Sequence, residues 1–271
     1  MAIITISRQI GSLGDEIARA TADKLGYAYI DRAQISESLS DHGFSLADID
    51  RYDEKKPSVW QTLTMHRDLF SHFIRAAVCE LAARNNVVIV GRGGQVILRD
   101  IPGVLRVKII APYAARVSRL AAAKGDEERV IKRLIQQVDS DTSGYLHTYF
   151  GADWDDADLY DLVLNTRLLT LSECVDLIAR AAGAEQITRS SQVSAALIDL
   201  ALTHKGKAVL LETTGRIDWM DLEVKKRVAS LSGLVESSAI KTDCEKALAK
   251  IKGIESVENR LNVRVDDRRL Y

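Results

Sequence analysis

The 271-residue chain carries 37 Lys and Arg against 38 Asp and Glu, and 46% of its residues are apolar. That balance supplies no global field that would make nucleic acid or an anionic membrane an obligatory partner, local patches aside, and no nucleic acid is expected; it suits a soluble globular protein with core enough for one large or two smaller domains. No apolar run approaches the roughly 18 residues of a membrane span, and Met1 leads directly into a strand, so the cytoplasm is the expected compartment.

The first element is an apolar strand over 2–6, running into Gly11-Ser12-Leu13-Gly14 and then a helical pattern over 14–25. Strand, glycine turn and helix start together outline a phosphate-binding loop, because exposed backbone N–H groups there cradle an anion. The Lys and Ser/Thr that end a standard Gly-x-x-x-x-Gly-Lys-Ser/Thr loop are absent, since Asp15 and Glu16 follow Gly14. On these residues alone, an ordinary strand-to-helix turn stands beside the anion-binding reading.

A short segment at 27–30 leads to a further turn. The pattern then predicts a helix over 67–85, strands over 87–90 and 104–110, helices over 113–124 and 126–142, a strand over 160–165 and a helix over 170–182. Short apolar runs alternating with longer periodic ones specify a three-layer α/β domain on a parallel sheet. Asn85-Asn86 and Pro102-Gly103 punctuate two strand entrances.

Gly183-Ala184 closes this unit, giving a first domain over 1–184, a polar linker over 185–190 and a second domain over 191–271. The second unit is expected to hold a helix over 191–203, a turn at Lys205-Gly206-Lys207 and a strand over 208–213. A helix over 219–224, a strand over 226–231, a turn at Ser232-Gly233, a helix over 238–251 and a strand over 257–265 follow. Cys79, Cys174 and Cys244 are odd in number and far apart, which fits reduced packing residues better than disulfides or zinc. His66, His72 and His147 fall in no Ser/His/Asp or Cys/His order.

Four segments in order resemble the cytidylate kinase-like proteins, a branch of the nucleoside monophosphate kinases with a P-loop fold. They are Thr5 to Ala18, Tyr29-Ile30-Asp31-Arg32, Val88-Ile89-Val90-Gly91-Arg92-Gly93-Gly94, and Tyr149 to Trp154 followed by Leu159 to Thr166. The resemblance covers about residues 1–182. It implies ATP and Mg2+ as cofactors and a nucleoside monophosphate such as CMP as the partner substrate.

The resemblance also implies roles. Gly11, Ser12 and Gly14 would receive the donor phosphates, with Arg8 as fixed charge through its bidentate fork. Arg8 pairing with Asp15 or Glu16 is the competing reading. Arg92, at the carboxyl end of a parallel strand, falls on the acceptor monophosphate, against a structural salt bridge. Asp31 and Arg32 border the acceptor nucleotide or else stabilise a turn. A lid is implied near 112–150, where Arg116 and Arg119, and Arg129 and Arg133, share helix faces and either close on phosphates or pair with exposed acids. Arg8, Arg133 and Asp139 are implied as catalytic, Arg133 as one of the lid cations and Asp139 as helping to hold magnesium through water.

Three departures bear on turnover. Leu13 stands where relatives carry a further glycine, and Ser140 and Thr142 stand where they carry arginines. Asp153, Asp155, Asp156 and Asp158 are placed irregularly, as in a solvated loop. No metal site is assigned.

At the C-terminal end, Val228 to Val235 and Ala247 to Val263 resemble a BON domain, a small α/β binding module. The implied protein is a kinase transferring the ATP γ-phosphoryl group to CMP or dCMP, its second domain engaging a ligand or protein partner. The alternative is a catalytically impaired nucleotide-sensing regulator.

Overall fold

The computed structural model describes residues 2–40, 65–188 and 193–264. The chain divides into two compact units, one of Met1–Thr62 with Leu81–Ser194, the other of Leu63–Glu80 with Ala195–Tyr271. Sequence order places 63–80 in the first domain; the fold groups it with the second.

In the first unit, β1 (Ile3–Arg8), β2 (Ala28–Ile30), β3 (Val87–Val90), β4 (Val104–Ile110) and β5 (Leu162–Asn165) form a sheet in the order β2-β3-β1-β4-β5. Every pair is parallel. Parallel strands require crossovers. The described helices in chain order are α1 (Gly14–Leu25), α2 (Arg32–Ser40), α3 (Met65–Ala82), α4 (Gly94–Ile97), α5 (Tyr113–Lys124), α6 (Glu128–Phe150), α7 (Leu171–Ala182) and α8 (Glu185–Thr188).

All four residues of β3 are buried, which is why it is a continuous apolar run without alternation. Ile17, Ala18, Thr21 and Ala22 form the buried stripe of α1, and Cys174, Val175, Ile178 and Ala182 that of α7. Both stripes belong to one core with Ile4, Ile6, Val88, Val107 and Ile109 on one face of the sheet. A capping box at Thr170 and Glu173 starts α7. Ile6 is in register with Val90 and with Val107, so the carboxyl ends of three central strands share one rim. The chain passes from β1 to β2 on one side of β1 and from β3 to β4 on the other, and open α/β sheets bind ligands at such a reversal.

Helix α6 runs eight residues beyond the expected end at 142. The cluster Ser140 to Gly144 has poor helix propensity, but burial of Tyr145, Leu146 and Tyr149 carries the helix to Phe150.

Besides most of α3, the second unit contains α9 (Val193–Thr214), β6 (Met220–Lys225), β7 (Val228–Val235), α10 (Ser238–Ala249) and β8 (Ser256–Val263). Strand β7 is central, antiparallel to β6 and parallel to β8. Three expectations fail here. The turn at 205–207 and strand at 208–213 are helix, because Gly206 is there for close packing: a Cβ on it would lie 2.4 Å from Leu222 Cδ2 and 3.1 Å from Leu248 Cδ2. The expected helix at 219–224 is a strand, whose buried Leu222 and Val224 alternate with exposed Asp221, Glu223 and Lys225. Ser232-Gly233 continues β7 and does not turn. The hairpin instead turns at Lys226-Arg227, both at positive φ, with the Asp199 carboxylate of α9 accepting their N–H groups at 2.7 and 3.1 Å. Residues 189–192 and 265, in the expected linker, helix start and strand end, lie outside the described residues.

Cys79, Cys174 and Cys244 are free and buried. Within the second unit, Lys205 pairs with Glu80, and His72 Nδ1 lies 3.2 Å from His204 Nδ1. Burial, reinforced by Lys207 and Arg75, lowers His72 to about 4, with Asp68 opposing. Burial and the neighbouring His72, Arg75 and Lys207 lower His204 to about 3.

Gly233 has φ +121°, and a Cβ on it would lie 2.0 Å from the Trp219 carbonyl oxygen. Gly233→Ala should therefore destabilise the second unit by about 3 kcal/mol or more in a denaturant melt; a loss below 1 kcal/mol, about the ordinary effect of a surface change, would contradict the packing described. The histidines are neutral in the fold and charge more readily when unfolded, so their contribution is complete above about pH 6.5 and falls as pH drops toward 4. Melting temperature should fall across that window, and less steeply in His72→Gln/His204→Gln; identical slopes would remove the pair as the cause.

Candidate active site

The loop between β1 and α1 is shaped from outside. Arg116 Nε donates to the Ile10 carbonyl at 2.8 Å, Arg119 Nη1 approaches the Gly11 carbonyl at 3.4 Å, and Thr166 Oγ1 donates to the Ser12 carbonyl at 3.0 Å. Carbonyl and N–H point oppositely across a trans peptide plane, so the Gly11 and Leu13 N–H groups turn to the other side of the loop. The Ser12 N–H is used locally, donating to the Gln9 carbonyl at 3.1 Å.

Gly11 needs its missing side chain: φ is +77°, and a Cβ would sit 3.0 Å from the Arg116 carbonyl and from Leu120. Leu13 adopts φ 66° without glycine's freedom, a strain of about 1 kcal/mol that the surrounding bonds outweigh. The Ser12 hydroxyl is buried and has no hydrogen-bond partner in the protein. An orphaned donor there fits a phosphate oxygen.

Beside the loop, a narrow, partly open cleft of about 10 Å³ lies at the carboxyl rim of the sheet. Ser7 and Arg8 from β1, Gly91, Arg92 and Gly93 after β3, Gln95 on α4, and Thr142, Tyr145 and Leu146 on α6 line it. The structure thus brings Arg8 and Arg92 to one cavity. Arg92 is 1% exposed, in a run of three left-handed residues with φ 72°, 55° and 73° at Gly91, Arg92 and Gly93. Arg8 Nε is bonded to Asp15 Oδ1 at 2.8 Å, and its side chain lies across Gly14, where a Cβ would meet Arg8 Cβ at 2.3 Å.

The other expected site residues lie elsewhere. Asp31 caps α2, accepting from the Ala33 N–H at 2.8 Å while its own N–H donates to Gln34 at 3.0 Å, and Arg32 is an exposed residue of that helix. Arg129 and Arg133 are exposed on α6 and do not line the cleft. Asp139 is held by Arg116, whose two terminal nitrogens reach Oδ2 at 2.9 Å and Oδ1 at 2.8 Å. Burial raises the Asp139 carboxyl above its ordinary range, with the Arg116 bonds and charge opposing. Both oxygens accept from Arg116, so the carboxylate is engaged in an ion pair with that residue. Among the described residues, no group of three or more His, Cys, Asp or Glu is placed to bind a metal.

A second polar cluster under the cleft escaped the sequence reading. Lys108 on β4 is 5% exposed, donates to the Trp154 carbonyl at 2.6 Å and to Asp155 Oδ1 at 2.8 Å, and lies 4.8 and 5.1 Å from the Trp154 and Tyr160 ring centroids. Trp154 Nε1 donates to Ser7 Oγ at 2.8 Å, fixing a cleft-lining side chain. Burial pushes the Tyr160 hydroxyl up to about 12, so it stays protonated and donates to the Trp154 carbonyl at 2.9 Å. The available signal was a lysine within the apolar strand Val-Leu-Arg-Val-Lys-Ile-Ile.

Residues 3–168 match the cytidylate kinase-like family. The chain belongs to that family. A cytidylate kinase of Thermoplasma volcanium is 28% identical over 179 residues, spanning 65% of this chain and 88% of that protein. One from Methanosarcina acetivorans is 24% identical over 180 residues, with 65% and 93% covered. Among solved structures, an uncharacterized protein from Eubacterium ventriosum superposes with a TM-score of 0.54 at 20% identity, covering 67% of this chain and 98% of the other, a likeness of fold alone.

The Arg8–Asp15 pair draws a cation of the cleft toward an exposed carboxylate of α1. Asp15→Asn should strengthen binding of tripolyphosphate two- to fivefold by calorimetry, about the worth of an exposed ion pair. Unchanged or weaker binding would show that Asp15 does not restrain Arg8.

Proposed function

We propose that this protein is a nucleoside monophosphate kinase of cytidylate type, transferring the ATP γ-phosphoryl group to CMP or dCMP, with its C-terminal unit as a binding or regulatory module. The observation that carries this reading is the meeting of Arg8 and Arg92 in one cleft, beside a loop whose carbonyls are tied back.

Phosphoryl transfer is mostly positioning and charge stabilisation. The Gly11 and Leu13 N–H groups, the Ser12 hydroxyl and Gly14 at the start of α1 hold the donor phosphates. Arg92, buried and fixed by its backbone, binds the acceptor phosphate; Arg8 spans the space between and meets the charge that develops during transfer. Asp31 and Arg32 border the acceptor nucleoside, and Arg133 is the lid cation. Magnesium, when bound with ATP, would supply neutralisation of phosphate charge. In this reading Asp139 serves Arg116 and is not a metal ligand. The BON-like resemblance accords with the small mixed sheet of the second unit.

A nucleotide-sensing regulator with impaired chemistry is the second reading. It is favoured by the Arg8–Asp15 pair and by Ser140 and Thr142 standing in the lid.

Incubation with magnesium-ATP and a panel of nucleoside monophosphates, following diphosphate formation and calorimetric binding, separates the two. Turnover with CMP or dCMP supports the kinase, binding without turnover the regulator, and neither result would discard both. Arg92→Ala should weaken CMP binding by about 10- to 100-fold, the worth of a charge-assisted hydrogen bond. Arg92→Lys should recover part of that loss, and a thermal melt reports whether each variant folds. Unaltered CMP affinity in folded Arg92→Ala would remove the residue from the site.

A further inference from the structure

We infer that Arg116 is a positioning residue that makes the shape of the phosphate loop depend on the lid helix α6. The inference deepens the kinase reading and rests on it for its functional consequence.

Arg116 is 3% exposed and directs its guanidinium in two directions. Nε holds the Ile10 carbonyl of the loop at 2.8 Å, and the forked terminal nitrogens hold Asp139 of α6 at 2.8 and 2.9 Å. One planar group therefore joins the loop to the lid helix, so a shift at one end strains the bonds at the other.

The neighbouring supports differ in where they anchor. Arg119 is bonded to Thr166 Oγ1 at 2.8 Å and to the Thr166 carbonyl at 2.7 Å, and Thr166 follows β5 immediately. Together they fix the Gly11 and Ser12 carbonyls to the sheet. The Ile10 carbonyl is fixed instead, through Arg116, to α6. That helix also supplies Thr142, Tyr145 and Leu146 to the cleft wall, with Thr142 one turn from Asp139. A ligand that draws α6 toward the cleft thus acts on the peptide that orients the Gly11 N–H.

The arrangement assigns Asp139 a purpose that does not require it to touch magnesium or substrate. Its carboxylate keeps the Arg116 fork in plane. An amide at 139 retains the shape but offers one acceptor in place of two, so the fork is held at one point.

The test uses the full chain with Arg116→Lys, Asp139→Asn and the double variant. In nucleotide-free protein, exchange of the Ser12 amide, which donates to the Gln9 carbonyl, should quicken about tenfold in each single variant, the cost of one charge-assisted bond, while that of Ile3–Ile6 stays unchanged. ATP affinity by calorimetry should fall by a similar factor, CMP affinity by less than about threefold, and the double variant should be no worse than the worse single one, because the residues act as a unit. Loop exchange unaltered in both single variants, or quickened equally throughout the sheet, would overturn the inference, as would additive losses in the double variant. Should Arg116→Lys fail to fold, Asp139→Asn decides by the same measurements. If the unaltered protein binds no nucleotide the kinase reading fails, while exchange still judges the linkage on its own.

Discussion

The tethering of three successive loop carbonyls, those of Ile10, Gly11 and Ser12, is the constraint on which the site depends. A loop of this length has many conformations, and Leu13 at φ 66° makes the observed one intrinsically unfavourable. Hydrogen bonds from charged donors contribute about 1.5–3 kcal/mol each, against about 1 kcal/mol for one non-glycine residue in the left-handed region. The supports win, and the strain is tolerated because the surroundings over-determine it. An arrangement that glycine and lysine usually secure within the loop is here secured by residues far along the chain.

Electrostatics divides the cations of the first unit by task. Arg116 and Arg119 hold backbone, Lys108 is enclosed by Trp154 and Tyr160, and Arg106 pairs with Asp161 at 2.7 Å. Burial alone would raise the Asp161 carboxyl, but its bonds to Arg106 and that residue's charge hold it below the ordinary range. Arg8 and Arg92 are the arginines that line the cleft. Counting basic residues along the lid would therefore overstate the charge offered to a ligand, since a guanidinium committed to a carbonyl and a carboxylate is spent on architecture.

The first unit was largely legible from the sequence. Strands 87–90 and 104–110 and helices 14–25 and 113–124 fall where apolar periodicity places them, because a buried parallel strand and an amphipathic helix each leave a local pattern. Gly206 and Gly233 misled the reading of the second unit. Both looked like turn residues, whereas one lets a helix approach Leu222 and the other lets a strand pass the Trp219 carbonyl. Glycine signals that a side chain is unwelcome and not why, so the partner that excludes it must be seen.

By itself, the sequence determined the alternation of elements, the strand-turn-helix that opens the fold, the glycines around Arg92 and the family to which these belong. Tertiary structure decided which charged groups reach the cleft and which are bound into the frame. The reason is range: periodicity and turn chemistry act over a few residues, whereas Arg116 meets Ile10 across 106 positions and Arg119 meets Thr166 across 47. Such meetings are set by strand register and helix packing, which bring distant side chains within hydrogen-bond distance only after the chain has folded.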